Sequence, residues 1–136
     1  MTNTVLTVGV FDLLHFGHFE LFRRAKELAG EGGRLVVACQ TDEYVTKYKP
    51  TAKLVYDWNT RVKMISALRY VDEVVPYTDV DVSIKDISFT IFAVGEDQVH
   101  GGFQRAMEWC RQHGREVVVM SRTAGISSTQ LRGSAQ

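Results

Sequence analysis

Apolar residues occur along this chain in two alternating patterns, and the alternation predicts its elements. Short unbroken runs rich in β-branched residues read as buried strands over residues 4–10, 35–39, 72–76, 89–94 and 117–120. Between them the period changes to that of a helix. Residues 17–29 place Leu21, Phe22, Ala25, Leu28 and Ala29 on one face, and Gly30 with the Gly32-Gly33 pair stops them. Asp57 is the expected N-cap of a helix carrying Val62, Ile65 and Leu68. Phe103, Ala106, Met107 and Cys110 form the stripe of another helix over residues 102–113, ended by Gly114. Residues 42–47 predict a short helical turn, followed by a polar connector through Pro50 to Tyr56. Residues 77–88 stay ambiguous, with room for a turn of helix, and Ser127 opens a last helical turn.

Strands alternating with helices predict an α/β fold: a Rossmann-like, parallel five-stranded sheet with helices on both faces. A length of 136 residues suits a single domain, residues 1–136. In such a sheet the ligand site lies outside the carboxyl ends of the strands, where the strand order switches. Residues that carry chemistry should therefore follow strands.

Composition changes this picture in three ways. Sixteen basic and sixteen acidic side chains cancel, which argues against a nucleic-acid partner bound through a general basic field. A local excess remains, with Lys47, Lys49, Lys53, Arg61 and Lys63 against Asp57 alone in residues 47–63. No apolar run approaches the ~18 residues of a membrane span, and no signal-peptide pattern is visible. Cys39 and Cys110 both lie in apolar settings without a CxxC pair, so they read as small buried side chains in a reducing cytoplasm.

Two segments carry candidate chemistry. Gly9 to His18 follows the first strand and opens the first helix. His15 and His18 project the same way from a helix start, where unpaired N–H groups favour anions. Gly9 and Gly17 are small enough to let a ligand approach the backbone. Taken alone, these histidines could equally cap the helix and fill its core. A zinc site would need a third ligand that the sequence does not supply. The second segment, Arg122 to Thr129, follows the last strand. Arg122 can grip phosphate bidentately, Gly125 permits a tight turn, and Ser127, Ser128 and Thr129 place hydroxyls at a helix start. It could also be an ordinary capping serine run beside a solvated arginine. Two phosphate-suited helix starts would converge on one crevice.

His15-Phe16-Gly17-His18 resembles the HxGH signature of the nucleotidyltransferase superfamily, and Gly9-Val10-Phe11-Asp12-Leu13-Leu14-His15 strengthens the likeness. Arg122-Thr123-Ala124-Gly125-Ile126-Ser127-Ser128-Thr129 is similar to the arginine-led signature of the cytidylyltransferases, and Tyr70 to Pro76 resembles the same branch. Within it the nearest likeness is to the bacterial glycerol-3-phosphate cytidylyltransferases.

The resemblance implies transfer of CMP from CTP to a small phosphorylated alcohol, with release of pyrophosphate and no covalent enzyme intermediate. It implies catalytic roles for His15, His18, Arg69, Arg122 and Lys47. It assigns the nucleotide to Gly9, Val10, Phe11, His15, His18, Gly95, Asp97, Arg122, Thr123, Gly125, Ile126, Ser127 and Ser128. Lys47, Lys49, Asp12 and Asp42 fall on the acceptor side, with Asp12 better suited to orient backbone or a histidine than to act as a base. It also implies Mg2+ carried mainly by the triphosphate, no metal site of the protein's own, and a homodimer. Three positions depart from the pattern: Gln98 replaces a Trp, Ala124 replaces Glu or Gln, and residues 99–103 do not match. The alternatives are another acceptor phosphate, an adenylyltransferase of the same fold, and a silent nucleotide sensor.

Overall fold

The computed structural model describes residues 2–121. All five strands form: β1 (Thr4–Gly9), β2 (Arg34–Gln40), β3 (Glu73–Tyr77), β4 (Ile91–Gly95) and β5 (Glu116–Met120). They pair in parallel in the order β3-β2-β1-β4-β5. The central strands are buried nearly throughout, whereas β3 and β5 at the edges are partly exposed. Pro76 lies in β3, and an edge strand tolerates its missing donor.

Alternate residues of the central strands enter two separate cores. Val5, Leu35, Val37, Ile91 and Ala93 pack with Phe22, Ala25 and Ala29 of α1 (Phe16–Ala29) and Ile65 of α3 (Trp58–Ser66). Leu6, Val36, Ala38, Phe92 and Val94 pack on the other face with Val80 of α4 (Val80–Ser83). Phe103, Ala106, Met107 and Cys110 of α5 (Gly101–Gln112) complete that face. The unbroken apolar runs therefore reflect strands covered on both sides. The ambiguous stretch resolves into α4 followed by a 3₁₀ turn over Ile84–Asp86. The short turn after β2 is a helix, α2 (Asp42–Tyr48).

Helix starts follow from their capping side chains. Asp57 accepts the Thr60 N–H at 2.8 Å, as its position predicts. α5 ends at a glycine that takes φ +73°, Gly114. The strand order reverses between β1 and β4, so the crevice expected of this topology lies at their carboxyl ends.

Candidate active site

β1 supplies the first wall. A Cβ on its last residue, Gly9, would lie 2.7 Å from the ring of Phe11. The Phe11 ring fills that space. Phe11 itself takes a left-handed φ of 54°, which costs a bulky residue on the order of 1–3 kcal/mol. The turn buries its ring edge-on against Phe22 at 5.2 Å and His18 at 5.3 Å.

His15 caps α1: its Nδ1 accepts the Gly17 N–H at 3.0 Å. With Nδ1 accepting, the ring is left to donate through Nε2. The His18 ring stacks on it with centroids 3.9 Å apart. Burial, then the neighbouring His15, lowers the His18 pKa to about 4, with the Leu13 backbone opposing them. His18 is therefore uncharged at neutral pH. Its Nδ1 is buried without a well-formed hydrogen bond among the described residues. The pair thus offers two imidazoles at a helix start, suited to donate hydrogen bonds to phosphoryl oxygens.

β4 supplies the facing wall. β1 and β4 pair only at Val5↔Ile91 and Leu6↔Phe92. Beyond them the Gln98 amide spans the two strand ends. Its Oε1 accepts the Gly95 N–H and its Nε2 donates to the Val8 carbonyl, both at 2.9 Å. One of the three departures is thus a wedge at the switch point. Asp97 is exposed on the same turn, its carboxylate 3.0 Å from where a Gly95 Cβ would sit. His100 repeats the cap of His15, with Nδ1 accepting the Gly102 N–H at 3.1 Å. The shared His-x-Gly spacing was the sequence signal for that second cap.

The acceptor-side residues are placed unevenly. The Lys47 ammonium lies over the rings of Tyr44 and Tyr48, at 4.8 and 5.5 Å, and Lys49 is exposed at the end of α2. Asp12 is 4% exposed and accepts the Val55 and Tyr56 N–H groups at 2.8 and 2.9 Å. It orients backbone, the simpler of its two expected tasks. Asp42 accepts from the Trp58 N–H at 3.0 Å and pairs with Arg61 at 2.5 Å. Both carboxylates thus bind the protein's own groups. Arg69 is exposed in the turn between α3 and β3, next to Tyr70, which packs on Phe19 at 5.4 Å. Arg122, Thr123, Gly125, Ile126, Ser127 and Ser128 lie outside the described residues.

Arg61 was missed as a site residue. It is 0% exposed and reaches the carboxyl ends of both β1 and β2. Its signal was present: Arg61, Ile65 and Leu68 fall at i, i+4 and i+7, a charge on the apolar stripe of a helix. Among the described residues no three His, Cys, Asp or Glu side chains gather as a metal site.

This architecture, two capped helix starts at the β1–β4 switch point, accompanies likenesses along the whole chain. The chain is 37% identical over 132 residues to a glycerol-3-phosphate cytidylyltransferase of Staphylococcus aureus, covering 94% of this chain and 91% of that one. It is also 37% identical over 131 residues to the enzyme of the same name from Bacillus subtilis, covering 94% and 93%. The fold matches the crystal structure of a lipopolysaccharide core biosynthesis protein from Thermoplasma volcanium with a TM-score of 0.71 at 25% identity, over 90% of this chain and 98% of that one. Residues 6–134 match the family described as cytidylyltransferase-like, and the chain belongs to that family.

Proposed function

We propose that this protein transfers the cytidylyl group of CTP to a small phosphorylated alcohol, with glycerol 3-phosphate as the leading acceptor. The observation that carries this reading is the likeness to glycerol-3-phosphate cytidylyltransferases along 94% of the chain. A phosphate oxygen of the acceptor attacks the α-phosphorus of CTP and forms a new P–O bond. The bond from that phosphorus to the oxygen bridging the β-phosphate breaks, and pyrophosphate leaves with the electron pair. The nucleophile is already an anion, so the protein's task is positioning and charge stabilisation.

In this reading His15 and His18 donate hydrogen bonds to the developing negative charge. The neutrality of His18 suits donation of a hydrogen bond beside the stacked His15 ring. Arg122, Thr123, Ser127 and Ser128 hold the triphosphate, Gly95 and Asp97 border the nucleoside, and Lys47 and Lys49 turn from the protein surface toward phosphate. Arg69 completes the cationic set. Mg2+, bound by the phosphate oxygens, offsets the triphosphate charge when present. The working form is a cytoplasmic homodimer.

A second acceptor phosphate is the one competing reading with an observation behind it. The Gln98 wedge and the His100 cap lie on the β4 side of the crevice. Pyrophosphate release decides it, with CTP or ATP against glycerol, ethanolamine, amino-acid-derived and sugar phosphates. CTP with glycerol 3-phosphate should turn over fastest. Faster use of ATP overturns cytidylyl transfer, and a faster second acceptor moves the assignment to that compound. Arg122→Ala should lower kcat/KM by roughly 10²–10³-fold with an unchanged circular dichroism spectrum.

A further inference from the structure

We propose that Arg61 is a positioning residue for this reaction, holding the lysine-bearing connector in register with the histidine loop. The proposal rests on the cytidylyltransferase reading for its kinetic consequence and on geometry alone for its structural one. Arg61 sits on α3, wholly buried, yet its guanidinium bonds to chain segments from four other places. Nη1 donates to the Val10 carbonyl at 2.8 Å and to the Gln40 carbonyl at 2.9 Å. Nε donates to the Tyr56 carbonyl at 3.2 Å, and Nη2 pairs with Asp42 at 2.5 Å. Cys39 Sγ lies 3.3 Å from Nη1. One rigid plane therefore joins the residue after β1, the ends of β2 and the connector, and the start of α2.

The connector is gripped from its other side as well. Asp12, from the histidine loop, accepts the N–H groups of Val55 and Tyr56, while Arg61 takes the carbonyl of the same Tyr56. The end of the connector that carries Lys49 and Lys53 is thus clasped, at Val55 and Tyr56, between two jaws built on opposite charges. Trp58 closes the clasp: its indole N–H donates to the Cys39 carbonyl at 3.1 Å.

An aliphatic side chain would fill this stripe position as Ile65 does one turn on, without the penalty of burying a charge. What it would not supply is a planar fork that binds several carbonyls at once, which lysine also lacks. Arg61 is too deeply buried to touch substrate, so its effect passes through the groups it holds.

The test compares Arg61→Lys with the unaltered protein in two measurements. Hydrogen exchange of the Val55 and Tyr56 amides reads the clasp without any substrate. It should speed up at least tenfold in the variant while exchange in β1 and β4 holds. Steady-state kinetics should show the KM for the acceptor phosphate raised about tenfold or more, with the KM for CTP changed less. Rescue should be absent, since lysine restores the charge but not the fork. Unchanged exchange at both amides overturns the proposal. So does an unchanged acceptor KM beside changed exchange, because the clasp then does not position the lysines. Should Arg61→Lys fail to fold, Asp12→Asn opens the other jaw with Arg61 in place. It should raise the acceptor KM in the same direction, and no change there overturns the proposal too. If the unaltered protein transfers no cytidylyl group at all, the functional reading fails by itself and hydrogen exchange still decides the clasp.

Discussion

His18 is a neutral imidazole in the folded chain, with its pKa lowered to about 4 from the ordinary 6.5 by burial and by His15. The unfolded chain takes up a proton as the pH falls through 6.5, while the folded chain resists until about 4. Folding stability is therefore lost progressively through that window and the loss levels off below it. In His18→Gln the group is gone, so urea midpoints measured between pH 7.5 and 4 should fall less steeply than in the unaltered protein. Parallel slopes would show that His18 is not held neutral. The sequence displayed this histidine and its spacing from His15, but not its charge state, which depends on the ring stacked 3.9 Å away and on Phe11 at its edge. Gly9 teaches the same lesson. Its smallness was legible; that Phe11 needed the space was not, because the contact requires Phe11 to adopt a left-handed backbone.

At the scale of elements, periodicity located every strand and the buried faces of α1, α3 and α5, because each period follows from backbone geometry alone. α3 also shows where periodicity stops. Arg61 and Ile65 share one stripe, both wholly buried, yet they serve different ends. Ile65 joins the core under α3 with Phe22 and Leu35. Ile65→Ala should lower unfolding free energy by about 2–5 kcal/mol, read by chemical denaturation. Its acceptor KM, measured on folded protein, should stay near that of the unaltered chain. A large rise in KM there would mean that α3 as a whole, and not the Arg61 fork, sets the connector. The capping histidines belong to this scale too. His15 and His100 use the same Nδ1-to-glycine bond at two helix starts, and both helices point those starts at the carboxyl edge of the sheet.

The whole molecule brings together residues far apart in the chain. Val8 and Gln98 meet only because β1 and β4 are neighbours at the point where the strand order reverses. A ligand held by both walls should stabilise the fold through mass action. CTP at about 100 times its dissociation constant should add roughly 2.7 kcal/mol to unfolding free energy, seen as a rise in thermal midpoint. An unchanged midpoint would mean that CTP does not bind the folded chain. No helix among the described residues is long and apolar enough to cross a membrane, and Cys39 and Cys110 are both buried and unpaired. The zero net charge is compatible with an anionic substrate at this scale, because a few cations and two helix starts act locally and need no basic surface.

By itself the sequence determined the strands, the helices and the parallel sheet. Those features rest on local period, capping chemistry and side-chain type, all of which are written residue by residue. Only the tertiary structure decided which groups meet. It made His18 neutral by stacking and burial, turned Asp12 and Asp42 onto backbone and Arg61, and laid Lys47 on tyrosine rings. It also made a buried arginine the joint between strand ends and connector. The strength of a charge depends on its desolvation and its partners, and partners separated by tens of residues exist only once the chain has folded.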